Sequence, residues 1–228
     1  MTGDHGRAVL PGADARLVRE TVRSWILRRH VRPGEFVDEG VIARRTGAAR
    51  ADVRDGLRDL AAEGVVAVAP GGAVVANPAP AELAEVDEVR RGLEEVAVRR
   101  FITRASDAEM RALRRAAAEF RRLAETDPQP EALLRARDWF YVVLLRAGAG
   151  VTTASMLQGL RLRVGLLISA GLAEPGRARE MACELDAIYR AIAARDVAAA
   201  VAASERHLTR STEAGVRLLA TPAGGQER

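Results

Sequence analysis

The chain has 228 residues, of which 48% are hydrophobic, 29% charged and only 4% aromatic. That composition excludes wholesale disorder and implies cores of Leu, Val, Ile and Ala, which suit helices packed on helices better than a β-sandwich. All 35 basic residues are Arg, against 31 acids, for a net charge of +4. Met1–Asn77 holds 12 Arg and 10 acids, and the remainder 23 and 21. Bulk charge therefore marks neither half as nucleic-acid-binding, and any DNA argument must rest on a local motif. The single cysteine, Cys183, excludes an intrachain disulfide or a Cys-based zinc site and reads as a small core residue. No apolar run approaches the roughly 20 residues of a membrane span. Met1–Gly12 is polar and lacks the apolar stretch of a signal peptide, so a cytoplasmic protein is expected.

The pattern divides the chain into a tail (1–13), a first block (14–77), a Pro-rich linker (78–80), a second block (81–220) and a second tail (221–228). In the first block, Leu17, Val18, Val22, Trp25 and Ile26 mark one face of a helix over Ala15–Arg29. Pro33-Gly34 stops it. Asp38 is placed to cap a short second helix that ends near Thr46-Gly47. A third helix follows over Arg50–Glu63, with Val53, Leu57, Leu60 and Ala61 inward and Gly64 closing it. The β-branched runs Val65–Val68 and Ala73–Val75, separated by Pro70-Gly71-Gly72, predict a two-stranded hairpin.

The second block has helical periodicity almost throughout. Leu83, Val86, Val89, Leu93 and Val96 form one stripe, and Met110, Leu113, Ala117, Phe120 and Leu123 another. Further helices are expected over Glu131–Ala147, Thr152–Ala170, Gly176–Ala194 and Asp196–Leu219. The fold class is therefore mostly α: an N-terminal winged helix-turn-helix plus a C-terminal antiparallel all-helical bundle.

In a winged helix-turn-helix the third helix enters the major groove, the second braces it, and the hairpin reaches the minor groove or the phosphates. Arg50 and Arg54, four apart, share a face near the N-terminus of helix three, where an Arg can grip guanine through two hydrogen bonds. Arg45, at the end of helix two, is placed for a phosphate.

These residues carry a resemblance. Arg32-Pro33-Gly34, Glu39, Ile42-Ala43, Gly47, Arg50, Val53-Arg54, Leu57, Leu60, Glu63-Gly64-Val65, Gly72 and Val75 resemble, in order and spacing, the DNA-binding domain of the GntR family of transcriptional regulators. The resemblance implies DNA contacts at Arg45, Arg50, Ala51, Arg54 and Gly72. Three departures stand out: Ala49 where the family usually has Ser or Thr, Asp52 where it often has Pro, and Gly71 where a basic wing residue is common. They imply weaker or differently specific binding.

The second block resembles the FCD-type helical ligand-binding domain of the FadR-like branch, through Glu88-Val89-Arg90 with Leu93-Glu94, the Phe140 segment, Ala191-Ile192, Arg195-Asp196, Ala199 and His207-Leu208. Many members of that branch hold a divalent metal with one Asp and three His. The matching positions here are Arg137, Tyr141, Leu185 and His207, and one His cannot make a metal site. No metal or other cofactor is therefore expected. The alternatives for Arg137 are pairing with an acid between helices and, together with Tyr141, Arg161, Arg163, Leu185 and His207, a pocket that grips an anionic effector directly.

The expectation is a non-enzymatic, ligand-responsive regulator, a repressor released by a small, carboxylate-type organic acid. It binds double-stranded DNA at a palindromic operator as a homodimer, with no membrane partner. The chain has no phosphate loop, no nucleophile pair and no metal cluster, and its three histidines are scattered. The alternative is a helical ligand-sensing or protein-interaction module with weakened or lost DNA binding.

Overall fold

Apolar side chains at helical spacing, closed by glycines, build the first unit of a computed structural model that describes residues 13–28, 30–126, 129–157, 160–161 and 171–220. Two compact units divide between Ala76 and Asn77.

The first unit contains α1 (Ala13–Leu27), β1 (Phe36–Asp38), α2 (Glu39–Thr46), α3 (Arg50–Ala62), β2 (Val66–Ala69) and β3 (Gly72–Val75). Val18, Val22 and Ile26 of α1 meet Ile42 of α2 and Val53, Leu57 and Leu60 of α3 in a dry core. Leu17, expected inward, is 43% exposed; the inward face runs Ala15, Val18, Val22 and Ile26. Asp38 caps α2 by accepting from the Val41 N–H at 2.9 Å, and Gly47 closes it at φ 73°.

The hairpin is the larger part of a three-stranded antiparallel sheet in the order β1-β3-β2. β1 is only three residues long and ends in Asp, too short and polar to signal itself by alternation. It is held by pairing Phe36, Val37 and Asp38 with Val74, Ala73 and Gly72. A Cβ on Gly72 would lie 2.1 Å from the Val37 carbonyl oxygen, so glycine is required there by the approach of β1.

The second unit contains α4 (Pro80–Arg104), α5 (Asp107–Glu125), α6 (Pro130–Gly148), α7 (helical residues 151–157 and 160–161), a short 3₁₀ turn (Gly171–Ala173), α8 (Arg177–Ala193) and α9 (Val197–Ala220). Pro80, read as linker, is the first residue of α4, where a missing N–H costs nothing. α4 packs on α6 and α9, α5 on α6 and α8, and α8 on α9. Phe101, Leu113, Phe120, Phe140, Leu144, Leu185 and Ile188 lie in one apolar cluster. Cys183, read as a core residue, is exposed.

The face that α4 buries differs from the expected stripe. Val89 is 50% exposed, and Leu93 and Val96 are half-buried. The buried line runs Leu83, Asp87, Arg90, Glu94, Ala97, Phe101, in helical steps of four and three. Charged residues therefore occupy the middle of an inward face whose two ends are apolar.

The sheet contact yields a test. Gly72→Ala forces the strand pair apart and should cost about 1–3 kcal/mol by overpacking. Gly71→Ala, with open space but φ +78°, should cost about 1 kcal/mol. Urea unfolding of both variants checks the order; equal losses would remove the steric account.

Candidate functional site

Charge on α3 is sorted by face. Asp59 and Glu63 pair with Arg19 and Arg23 of α1, and Asp55 pairs with Arg58. Asp59 and Glu63 thus brace α3 against α1, while the first turn of α3 carries one acid, Asp52, among its arginines. Arg50, Ala51 and Arg54 are exposed there, as is Arg45 at the end of α2. Arg45, Arg50 and a further exposed arginine, Arg44, make no ion pair among the described residues. Arg44 was not singled out from sequence, although it precedes Arg45 on the same exposed turn. Arg54 donates from Nε to both carboxylate oxygens of Glu39, at 3.2 and 3.3 Å. Gly72 is buried within the sheet; the exposed wing turn is Pro70-Gly71, and Gly71 adds no side chain to it. Ala49 precedes α3 without a side-chain cap, so nothing there replaces the hydroxyl that the resemblance leads one to expect.

In the second unit the buried charges form two linked groups. On α4, Arg90 reaches Glu94 at 3.2 Å, and Ser204 of α9 donates to the other Glu94 oxygen at 3.3 Å. On α8, Arg177 forks onto Glu184 at 3.0 and 3.1 Å, and His207 Nδ1 lies 2.7 Å from the same carboxylate. Between the two groups sits Tyr141, buried on α6. Its ring centroid is 6.1 Å from that of His207, and Arg161 of α7 stacks on it with Cζ 3.7 Å from the centroid. Arg161 and Arg137 share one oxygen of the half-exposed Asp138, at 3.2 and 3.7 Å.

The structure thus brings Arg137, Tyr141, Arg161 and His207 together. Leu185 contributes to the apolar cluster that also holds Tyr141, and Arg163 lies outside the described residues. Sequence reasoning missed Arg90, Glu94, Arg177, Glu184 and Ser204. The signal that reveals them is charge at core spacing, as in Arg177, Met181, Glu184, Ile188.

Electrostatics follow from burial. Burial, then the like charge of Arg137, pulls the Arg161 guanidinium down to about 10. Burial and then the charge of Glu94 push the Tyr141 phenol up, so it remains a neutral donor. Burial lowers His207 against the opposing pull of Glu184. Burial raises the Glu184 carboxyl, but His207 and the Arg177 fork outweigh it and hold the group at about 2. Tyr141 Oη, Arg161 Nε and Arg90 Nε are buried without a hydrogen-bond partner among the described residues.

These side chains do not fit a divalent cation. Two of the positions implied by the resemblance, Arg137 and Leu185, have no donor pair to offer. No three His, Cys, Asp or Glu side chains converge on a metal position among the described residues.

His207 and Glu184 predict a pH profile. Both are lower in the folded than in the unfolded chain, so the stability they contribute is lost on acidification. The loss begins below about 6.5 for the histidine and below about 4.5 for the carboxylate. His207→Gln should flatten the fall in unfolding free energy between pH 6.5 and 5, by up to about 1.4 kcal/mol per unit. An unchanged slope in denaturant titrations would contradict the assignment.

The comparisons agree with this division. Residues 15–75 match the model of the bacterial regulatory proteins of the gntR family, and residues 85–210 match the FCD domain. None of the curated proteins matches the chain in sequence. Among solved structures, Escherichia coli McbR/YncC is similar at TM-score 0.74 and 16% identity, over 90% of this chain and 98% of that one. A putative GntR transcriptional regulator from Rhodococcus sp. RHA1 is similar at TM-score 0.69 and 19% identity, over 94% and 99%. Among the described residues no helix is long and apolar enough to cross a membrane. The chain belongs to the gntR family of bacterial regulatory proteins, as a member with an FCD domain, and is a ligand-responsive DNA-binding transcriptional regulator.

Proposed function

We propose that the protein is a cytoplasmic repressor that binds a palindromic operator as a homodimer and is released by a small organic acid, bound without a metal ion. The observation that carries the acid effector is Arg161, 12% exposed and stacked on the buried Tyr141. Arg90 has Glu94 and Arg177 has Glu184, whereas Arg161 pairs with the half-exposed Asp138 and keeps a buried Nε without a hydrogen-bond partner among the described residues. Its positive charge, with the neutral Tyr141 hydroxyl and the Nε still able to donate, suits a carboxylate held by charge-assisted hydrogen bonds. No nucleophile, general base or metal is needed for such binding, so the site senses and does not catalyse.

A dimer is favoured because one winged helix gives little interface for tight specific binding, and two half-sites match a two-fold protein. Val89, Trp139 and Val142 are exposed apolar residues of the helical unit that suit a partner surface. Effector binding would act by shifting the population of dimers able to engage both half-sites.

The test is operator binding, by fluorescence anisotropy, on DNA flanking the gene, in one series with chelator and in a parallel chelator-free series with one equivalent of added divalent metal. Arg50→Ala should weaken binding about 5- to 150-fold, and at least one of a panel of mono- and dicarboxylic acids should release the wild type. Release that requires one equivalent of added metal, and is lost in His207→Ala, would refute the metal-free reading. Wild-type protein with no salt-dependent affinity for DNA would favour a sensing module without DNA binding.

A further inference from the structure

We infer that Glu39 is a positioning residue for DNA recognition: it fixes the Arg54 guanidinium so that only its terminal nitrogens face the base pair. The inference rests on the reading of α3 as the recognition helix and goes beyond it, because an acid at a DNA surface otherwise only repels phosphate.

Glu39 is held at both ends. Its backbone N–H, one of the N-terminal groups left without an intrahelical partner in α2, donates to the Gly71 carbonyl in the wing turn at 2.9 Å. The preceding residue, Asp38, pairs with Gly72 in the sheet and caps α2 with its side chain. The Glu39 side chain is only 15% exposed and reaches across to α3. Both of its oxygens accept the single N–H on Arg54 Nε. The Arg54 side chain is 59% exposed, and its Nη1 and Nη2 make no hydrogen bond among the described residues.

A guanidinium can present two donor edges, one through Nε with one Nη and one through the two Nη groups. With Nε occupied, only the terminal edge remains, and it carries two parallel donors that match O6 and N7 of guanine. Arg50, four residues earlier, has no such acid and can present either edge or turn to a phosphate. The two arginines are thus unequal: Arg54 is pre-oriented for one geometry and Arg50 is adaptable. The wing turn, the start of α2 and the recognition arginine form one linked unit through Glu39, so pre-orientation lowers the ordering cost when DNA arrives.

The two possible roles of Glu39 predict opposite effects of removing it. As a bare negative charge, its loss should tighten binding to every duplex and leave base preference unchanged. As a positioning residue, its loss should still raise affinity for random duplex but blunt preference at the base pair read by Arg54. The experiment selects bound duplexes from a randomised library with full-length wild type, Glu39→Ala, Glu39→Gln, Arg54→Ala, Arg50→Ala and the double variant Glu39→Ala/Arg54→Ala. Affinities for the wild-type consensus and for random duplex are then measured across a salt series, with thermal melts to show that each variant is folded.

In Glu39→Ala the ratio of consensus to random affinity should fall about tenfold. The loss should be confined to the position that Arg54→Ala also blurs, with no further loss in the double variant. Glu39→Gln, which keeps one acceptor oxygen, should recover part of it. Unchanged position-specific preference in Glu39→Ala would overturn the inference, as would losses that multiply in the double variant. A wild type that enriches no sequence would overturn the DNA-reading assignment itself, a result distinct from failure of Glu39 alone.

Discussion

Charge buried inside a helical bundle is the constraint on which the sensor domain depends. Asp87, Arg90, Glu94, Arg137, Arg177 and Glu184 are all under 9% exposed, and each would cost several kcal/mol if left alone in a low-dielectric interior. The fold answers with forks and shared carboxylates: Arg177 on Glu184, Arg90 on Glu94, and Arg91 on Asp87 at 2.6 Å. The surrounding helices must hold register for these pairs to meet, because a shift of one residue turns a side chain by about 100°. Arg161, stacked on Tyr141, keeps a buried Nε without a hydrogen-bond partner among the described residues, and it is this cation that the proposed function makes a binding group.

The first unit uses the same sorting of charge at its surface. Asp59 and Glu63 face the arginines of α1, Asp55 pairs along α3, and Glu39 takes one edge of Arg54, while Asp52 stays in the first turn of α3. What remains is an exposed cationic end formed by Arg44, Arg45 and Arg50. A net charge of +4 over the whole chain hides this arrangement, because the acids and bases are segregated by face and not by segment.

Much of this was legible in the sequence, and the failures have physical causes. Helix limits in the first unit followed from Asp38, Gly47 and Gly64, whose roles are local and leave little alternative. β1 was invisible because a three-residue strand owes its existence to its partner β3. On α4 the hydrophobic stripe misled: Val89, Leu93 and Val96 turn outward or only partly inward, while Asp87, Arg90 and Glu94 turn in. Periodicity identifies the inward face by apolarity, and a core that buries charge reverses that assumption. The same reversal hid Glu184, next to the Leu185 that the resemblance singled out, and it is Glu184 that holds His207. Arg137, Tyr141 and Arg161, by contrast, were found because the resemblance supplied positions and the residues there had the wrong chemistry for a metal.

On the proposed function the two units follow one rule with opposite emphasis: cations are left available where an anion would be bound, on a helix end for DNA and in a helical interior for the effector. The most direct measurement of that claim is the thermal stability of Arg161→Met with and without the organic acid that most stabilises the wild type. Removal of a buried charge that serves binding should leave the ligand-free melting temperature unchanged or raise it, and should abolish stabilisation by the acid. A lower melting temperature with acid-induced stabilisation intact would show that Arg161 is a structural cation and would contradict the account.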